Sequence, residues 1–141
     1  LIYEKFTNFK LMNQSFAHVT LLVRDYDEAI AFYTKKLNFT LIDDIQLSTS
    51  KRWVRVRPPG RSDCSLLFAK AKNNAQTARI GDQTGGRVIL FLHTDNFDRD
   101  YDHLKKQNIK IIKNTKITPH GKVAVFADLY GNLIDLVEPP S

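Results

Sequence analysis

The chain has one cysteine, one tryptophan and one methionine, and the shortage of cysteine excludes the most. A lone Cys64 cannot close an internal disulfide or build a thiolate cage for a metal ion. It reads as a small residue at the start of a strand, because no partner base for a reactive thiol can be placed. Long apolar runs are also missing: none approaches the roughly 20 residues of a membrane span, and no secretory leader with its cleavage site is visible. The expectation is a cytoplasmic protein without membrane attachment. Acidic residues are the scarcer charge, 15 against 21 Lys and Arg, so the formal net charge is +6. The basic residues are spread over several segments and interleaved with acids. That pattern supports loose, salt-sensitive attraction to polyanions and no specific nucleic-acid recognition.

What is present is ordinary for a folded chain: 43% hydrophobic and 26% charged residues over 141 positions. That length suits one compact domain, or two small modules sharing a core. Residues 1–15 show no clean periodicity and include the only methionine, Met12. They read as a leader or N-terminal extension outside the fold.

Ala17–Val23 is a strand pattern, with Val19, Leu21 and Val23 on one face and His18, Thr20 and Leu22 on the other. Asp25 stands three residues before Glu28, the spacing of a capping box, so a helix is predicted to begin there. Tyr26, Ala29, Ile30, Tyr33 and Leu37 recur at helical spacing, and Asn38 can take the left-handed conformation that ends the helix. A second strand begins at Phe39–Asp43. Lys51–Arg57 alternates strongly before the Pro58-Pro59-Gly60 turn, and Cys64–Ala69 returns as a fourth strand. The order is strand, helix, three strands over residues 16–72. A polar linker follows over 73–86, ending in Gly85-Gly86.

Residues 87–141 repeat this order at an offset of 70 positions. Asp25 meets Asp95, Lys35-Lys36 meet Lys105-Lys106, and Asn38 meets Asn108. At the end of the repeat, Asp128-Leu-Tyr-Gly131-Asn132 lies between two apolar runs and reads as a hairpin turn. In the strand after it, Leu133, Asp135 and Val137 share one face and Ile134 and Leu136 the other. A carboxylate therefore stands in an otherwise apolar strand, either as a solvated residue or as a functional one.

Two stretches, HVTLLVRDYDEAIAFYTKKLNF at the front and DLYGNLIDLVEP at the back, resemble the opening and ending of vicinal oxygen chelate proteins. That superfamily contains glyoxalases, bleomycin- and fosfomycin-resistance proteins and extradiol dioxygenases. The resemblance covers nearly everything after residue 15. It implies an α+β fold of two βαβββ modules forming curved mixed sheets around a cavity, usually in a homodimer. It also carries two metal corners onto His18 and Asp135. The 70-residue offset sets Val88 against His18 and Ser65 against Asp135, and neither replacement is a good ligand. The set is incomplete, and the cofactor expectation is one divalent metal (Zn, Ni, Mn or Fe) or none.

Two functions follow from that resemblance. One is a glyoxalase-like lyase or isomerase acting on a small polar or anionic substrate, with Asp135 taking a proton next to a carbonyl and His18 as its catalytic partner. The alternative is a metal-free module that sequesters a small-molecule ligand without chemistry, as resistance proteins do. Three further residues are placed at the pocket. His120 sits in a loop that can overhang it and could complete a metal shell. Trp53 and Arg55 lie on one face with Arg57 and Ser65, where Arg55 could pair with Asp135 or receive an anionic ligand. The bland counterparts are an exposed loop histidine and a solvated face made of Arg52, Arg55 and Arg57. By strand alternation His93 faces away from Val88 and so away from the pocket.

Overall fold

Apolar alternation along the strands decides the architecture, because each sheet has one face that must be covered. The computed structural model describes residues 11–60 and 63–141. Strand β1 (His18–Val23) leads into helix α1 (Tyr26–Ala31), which continues as a π-helical turn over Phe32–Lys36. Strands β2 (Thr40–Gln46), β3 (Arg52–Arg57) and β4 (Ser65–Lys70) complete the first module. A short helix α2 (Asn74–Thr77) lies in the linker. The second module contains β5 (Val88–His93), α3 (Phe97–Lys106), β6 (Ile111–Thr118), β7 (Gly121–Ala127) and β8 (Leu133–Glu138).

The two sheets have the same order, β1-β4-β3-β2 and β5-β8-β7-β6, each with one parallel pair and two antiparallel pairs. The expected α+β architecture of two βαβββ modules is therefore the observed one. The predicted leader falls mostly on residues 1–10, which lie outside the described residues. Among the described residues no helix is long and apolar enough to cross a membrane.

The helix signals work as expected at α1. Asp25 accepts a hydrogen bond from the Glu28 amide at 2.9 Å, and Asn38 ends the segment at φ +61°. The second copy differs by one residue: α3 is capped by Asn96, whose side chain accepts from the Arg99 amide at 3.1 Å, and not by Asp95. Asp95 instead pairs with Arg99 at 3.1 Å.

One hydrophobic core serves both modules. Leu21, Val23, Val54, Val56 and Phe68 from the first sheet, Ala124, Phe126, Ile134 and Leu136 from the second, and Tyr33, Phe97 and Leu104 from the helices form a single buried cluster. Such burial is worth about 1.5–3 kcal/mol for each large side chain. Polar clasps hold the halves in register. Tyr33 donates its hydroxyl to Asp128 at 2.6 Å, and the same carboxylate accepts from the amides of Tyr130 and Asn132 and from the Asn132 side chain. The Asp128–Asn132 turn is thus a buried joint between modules, which is why its residues are so specific. Tyr130 completes it by donating to Glu28 at 2.9 Å.

The linker folds back on the first module. The amide of Gln83 receives the Leu22 N–H at 2.7 Å and donates to the Thr20 carbonyl at 3.2 Å, so one side chain occupies the free edge of β1. Gly81 makes the approach possible: its φ is +76°, and a Cβ there would lie 2.0 Å from the Tyr130 carbonyl oxygen.

Candidate functional site

Residues opposite in parity to the shared core occupy the other face of each sheet, and these two faces carry the candidate site. In the first module the register pairs His18 with Ser65, Thr20 with Leu67 and Arg55 with Leu67. His18, Trp53, Arg55, Arg57 and Ser65 therefore share one surface. The His18 ring stands edge-on to Trp53, with centroids 5.4 Å apart and planes at 88°. Its Nδ1 is buried and has no hydrogen-bond partner among the described residues.

Arg55 is held by its own module. Its Nε donates to Asp43 at 2.6 Å and an Nη donates to Ser65 at 3.4 Å. The same Asp43 oxygen accepts from the Trp53 indole at 3.3 Å. The expected pairing of Arg55 with Asp135 is not observed, because Asp43 on the neighbouring strand is closer to hand. Arg52 also leaves the predicted face: one position out of phase with Arg55 and Arg57, it lies on the helix side, paired with Asp27 at 2.8 Å and Asp44 at 2.7 Å.

In the second module Asp135 pairs with Phe91 and Val125 across the sheet. It lines a cleft of about 640 Å³ together with Phe91, His93, His120, Val123 and Val137. Asp135 Oδ1 is buried without a hydrogen-bond partner among the described residues. Burial pushes its carboxyl above the ordinary carboxylate range, and the charge of Lys113 offsets part of that rise. His120, in the turn between β6 and β7, lines this cleft.

His93 lies on this same face, which strand parity read from the sequence did not foresee. The cause is a bulge. Val88 pairs with Leu133 and Leu90 with Ile134, so Ile89 is an extra residue and everything after it changes side. The exposed side of β5 is therefore Phe91 and His93. Leu90 and Leu92, half-buried against the core beside Ile134 and Leu136, fix the opposite parity for His93.

The same register settles the corners. His18 against Ser65 corresponds to Val88 against Leu133, so His18 matches Val88 as the offset implied. Asp135, however, corresponds to Leu67 and not to Ser65, because Phe68 and Leu66 match Leu136 and Ile134 at an offset of 68. The four equivalent positions are thus His18, Leu67, Val88 and Asp135. Two are aliphatic and cannot bind a cation. Among the described residues no three His, Cys, Asp or Glu side chains converge to hold a metal ion. His18 and Asp135 also lie on separate sheets, both facing away from the common core, so one chain does not bring them into a single hollow. The residues present do not fit a metal centre of the expected kind.

Known proteins share this fold. A family model described as the Glyoxalase/Bleomycin resistance protein/Dioxygenase superfamily matches residues 15–136. A protein of Shewanella frigidimarina is 52% identical over 128 residues, covering 90% of this chain and 95% of its own length. The crystal structure of TnmS3, an antibiotic binding protein from Streptomyces sp. CB03234, superposes with a TM-score of 0.76 at 29% identity, covering 92% of this chain and 99% of that one. A glyoxalase/bleomycin resistance protein from the same Streptomyces strain gives a TM-score of 0.71 at 31% identity, over 88% of this chain and 100% of that one.

Proposed function

The chain belongs to the glyoxalase/bleomycin resistance protein/dioxygenase superfamily, and within it we propose that this protein is a metal-free binding module that sequesters a small organic molecule. The observation that carries this reading is the aliphatic pair Leu67 and Val88 at two of the four corner positions. Metal-dependent members need at least three strong ligands with an open coordination position, and two remain here, on different sheets.

The cavity is completed by a second copy of the chain. Each module offers one curved outward face, and neither closes a pocket alone, so the first-module face of one copy stands opposite the second-module face of another. In that assembly Trp53, Arg55 and His18 form one wall, and Asp135, His93, His120 and Phe91 the other. The description of TnmS3 as an antibiotic binding protein, at 29% identity, supports binding without chemistry.

Equilibrium dialysis against nickel, zinc, manganese and iron(II), followed by elemental analysis, tests the metal-free reading. The expected result is less than about one metal per ten chains after exchange into metal-free buffer. Retention of one metal per chain would overturn it. Analytical ultracentrifugation tests the second copy, with a dimer expected.

One feature favours a second reading. Asp135 carries an unpartnered buried oxygen and a raised pKa, the properties of a carboxylate poised to take a proton next to a carbonyl, with His18 of the second copy as its partner. Solvent deuterium entering such a position in a carbonyl compound, and lost in Asp135→Asn, would establish lyase or isomerase chemistry instead.

A further inference from the structure

Three buried side-chain atoms lack hydrogen-bond partners among the described residues: His18 Nδ1, Asp135 Oδ1 and Arg57 Nε. Two belong to residues already assigned to the site, whereas Arg57 has no assigned task. A buried guanidinium N–H without an acceptor is costly, because the desolvation of a charged donor goes uncompensated.

Its position is defined by the sheet. The register that pairs Val56 with Leu66 carries Arg57 to the level of Ser65, whose other neighbour is His18. Arg57 and His18 therefore flank Ser65 on the polar face, with Trp53 two residues along the strand from Arg55 and in edge contact with His18. The charges on this face do not cancel. Asp43 is committed to Arg55 and to the Trp53 indole, and Arg57 forms no ion pair among the described residues.

We infer that Arg57, with His18 beside it, is the anion-recognition point of the pocket, and that the ligand is an aromatic acid. The ligand's carboxylate accepts from the Arg57 guanidinium beside the His18 ring, while its planar body lies against Trp53. Guanidinium groups suit this task because their donors match the plane of a carboxylate. An indole offers a flat apolar surface for the ring. This inference rests on the binding reading above and sharpens it to one ligand class.

Trp53 is the only tryptophan in the chain, so its emission reports on this face alone. Titration of the protein with benzoate, and with the neutral isostere benzamide, tests the inference directly. Benzoate is expected to change the Trp53 emission in a saturable way and to bind about tenfold more tightly than benzamide, the scale of a charge-assisted hydrogen bond. In Arg57→Gln the preference should fall to about one while benzamide binding persists, which also shows that the variant is folded. Arg57→Lys should recover part of the preference.

Equal affinity for the two probes in the unaltered protein would overturn the anion site and leave the binding reading standing. A preference undiminished in Arg57→Gln would likewise overturn the role of Arg57. If neither probe perturbs Trp53, the aromatic-acid pocket is refuted and the binding reading loses this wall of its cavity.

Discussion

The two modules share one backbone plan, and insertions in one copy or the other shift their correspondence along the chain. From His18 to Val88 the offset is 70. The bulge at Ile89 raises it to 71, so Leu21 corresponds to Leu92 and Asp25 to Asn96. The π-helical turn at Phe32–Lys36 returns it to 70, because Asp25 to Asn38 spans 13 positions where Asn96 to Asn108 spans 12. The loop between β3 and β4, two residues longer than its counterpart, then lowers it to 68. Core positions match throughout. Only the outward faces have diverged: aromatic and cationic in the first module, apolar with one carboxylate and two histidines in the second. The duplicated fold thus constrains the buried parity strictly and leaves the opposite face free to change chemistry.

Deletions break this comparison most sharply. Removing Lys35 takes one exposed residue from the π turn and should leave an uninterrupted α-helix like α3, with a stability loss of about 1 kcal/mol in urea denaturation. Removing Asp102 from α3 has no such surplus to absorb it. It rotates Leu104 out of the core and should cost more than about 4 kcal/mol or prevent folding. Equal effects would mean that the π turn is not the inserted residue.

The joint between the modules comes next. Asp128→Ala leaves Tyr33 and the Asn132 side chain without their buried acceptor, and should cost on the order of 3 kcal/mol. Tyr33→Phe removes one of those bonds and should cost about 1 kcal/mol. Similar losses for both variants would show that the carboxylate is not the shared hub.

Asp135 provides a smaller effect of opposite sign. Its folded pKa is raised by burial, so the charged form is penalised in the native state. The stability associated with the neutral carboxyl is present below the unfolded value and is lost as pH rises through the raised one. Asp135→Asn should therefore melt a few degrees higher at pH 7, with the gain vanishing near pH 3. A lower melting temperature at pH 7 would show that a cation, supplied by the second copy, holds the carboxylate ionised.

Much of the fold was legible because its signals are local and chemically distinct. Asp25 with Glu28, Asn38 and Asn108 at positive φ, and the alternation through Leu133–Val137 all read directly. The bulge and the π turn were not legible, since an inserted backbone residue such as Ile89 has no characteristic side chain. An assumed constant offset of 70 then gave the wrong partner for Asp135, and unbroken strand alternation from Val88 gave the wrong side for His93. Arg57 was placed on the right face, but its unpaired nitrogen depends on Asp43 choosing Arg55, a competition between two nearly equivalent guanidiniums that spacing cannot resolve.

The Gln83 amide has a consequence for how this molecule meets others. By answering both the Leu22 N–H and the Thr20 carbonyl, it does for β1 what a neighbouring backbone would do, and so stops lateral growth of the sheet at that margin. An incoming strand from another chain would first have to evict it, so approach from that side proceeds through side chains alone, and ribbon-like stacking of partly folded copies is suppressed where the fold would otherwise invite it.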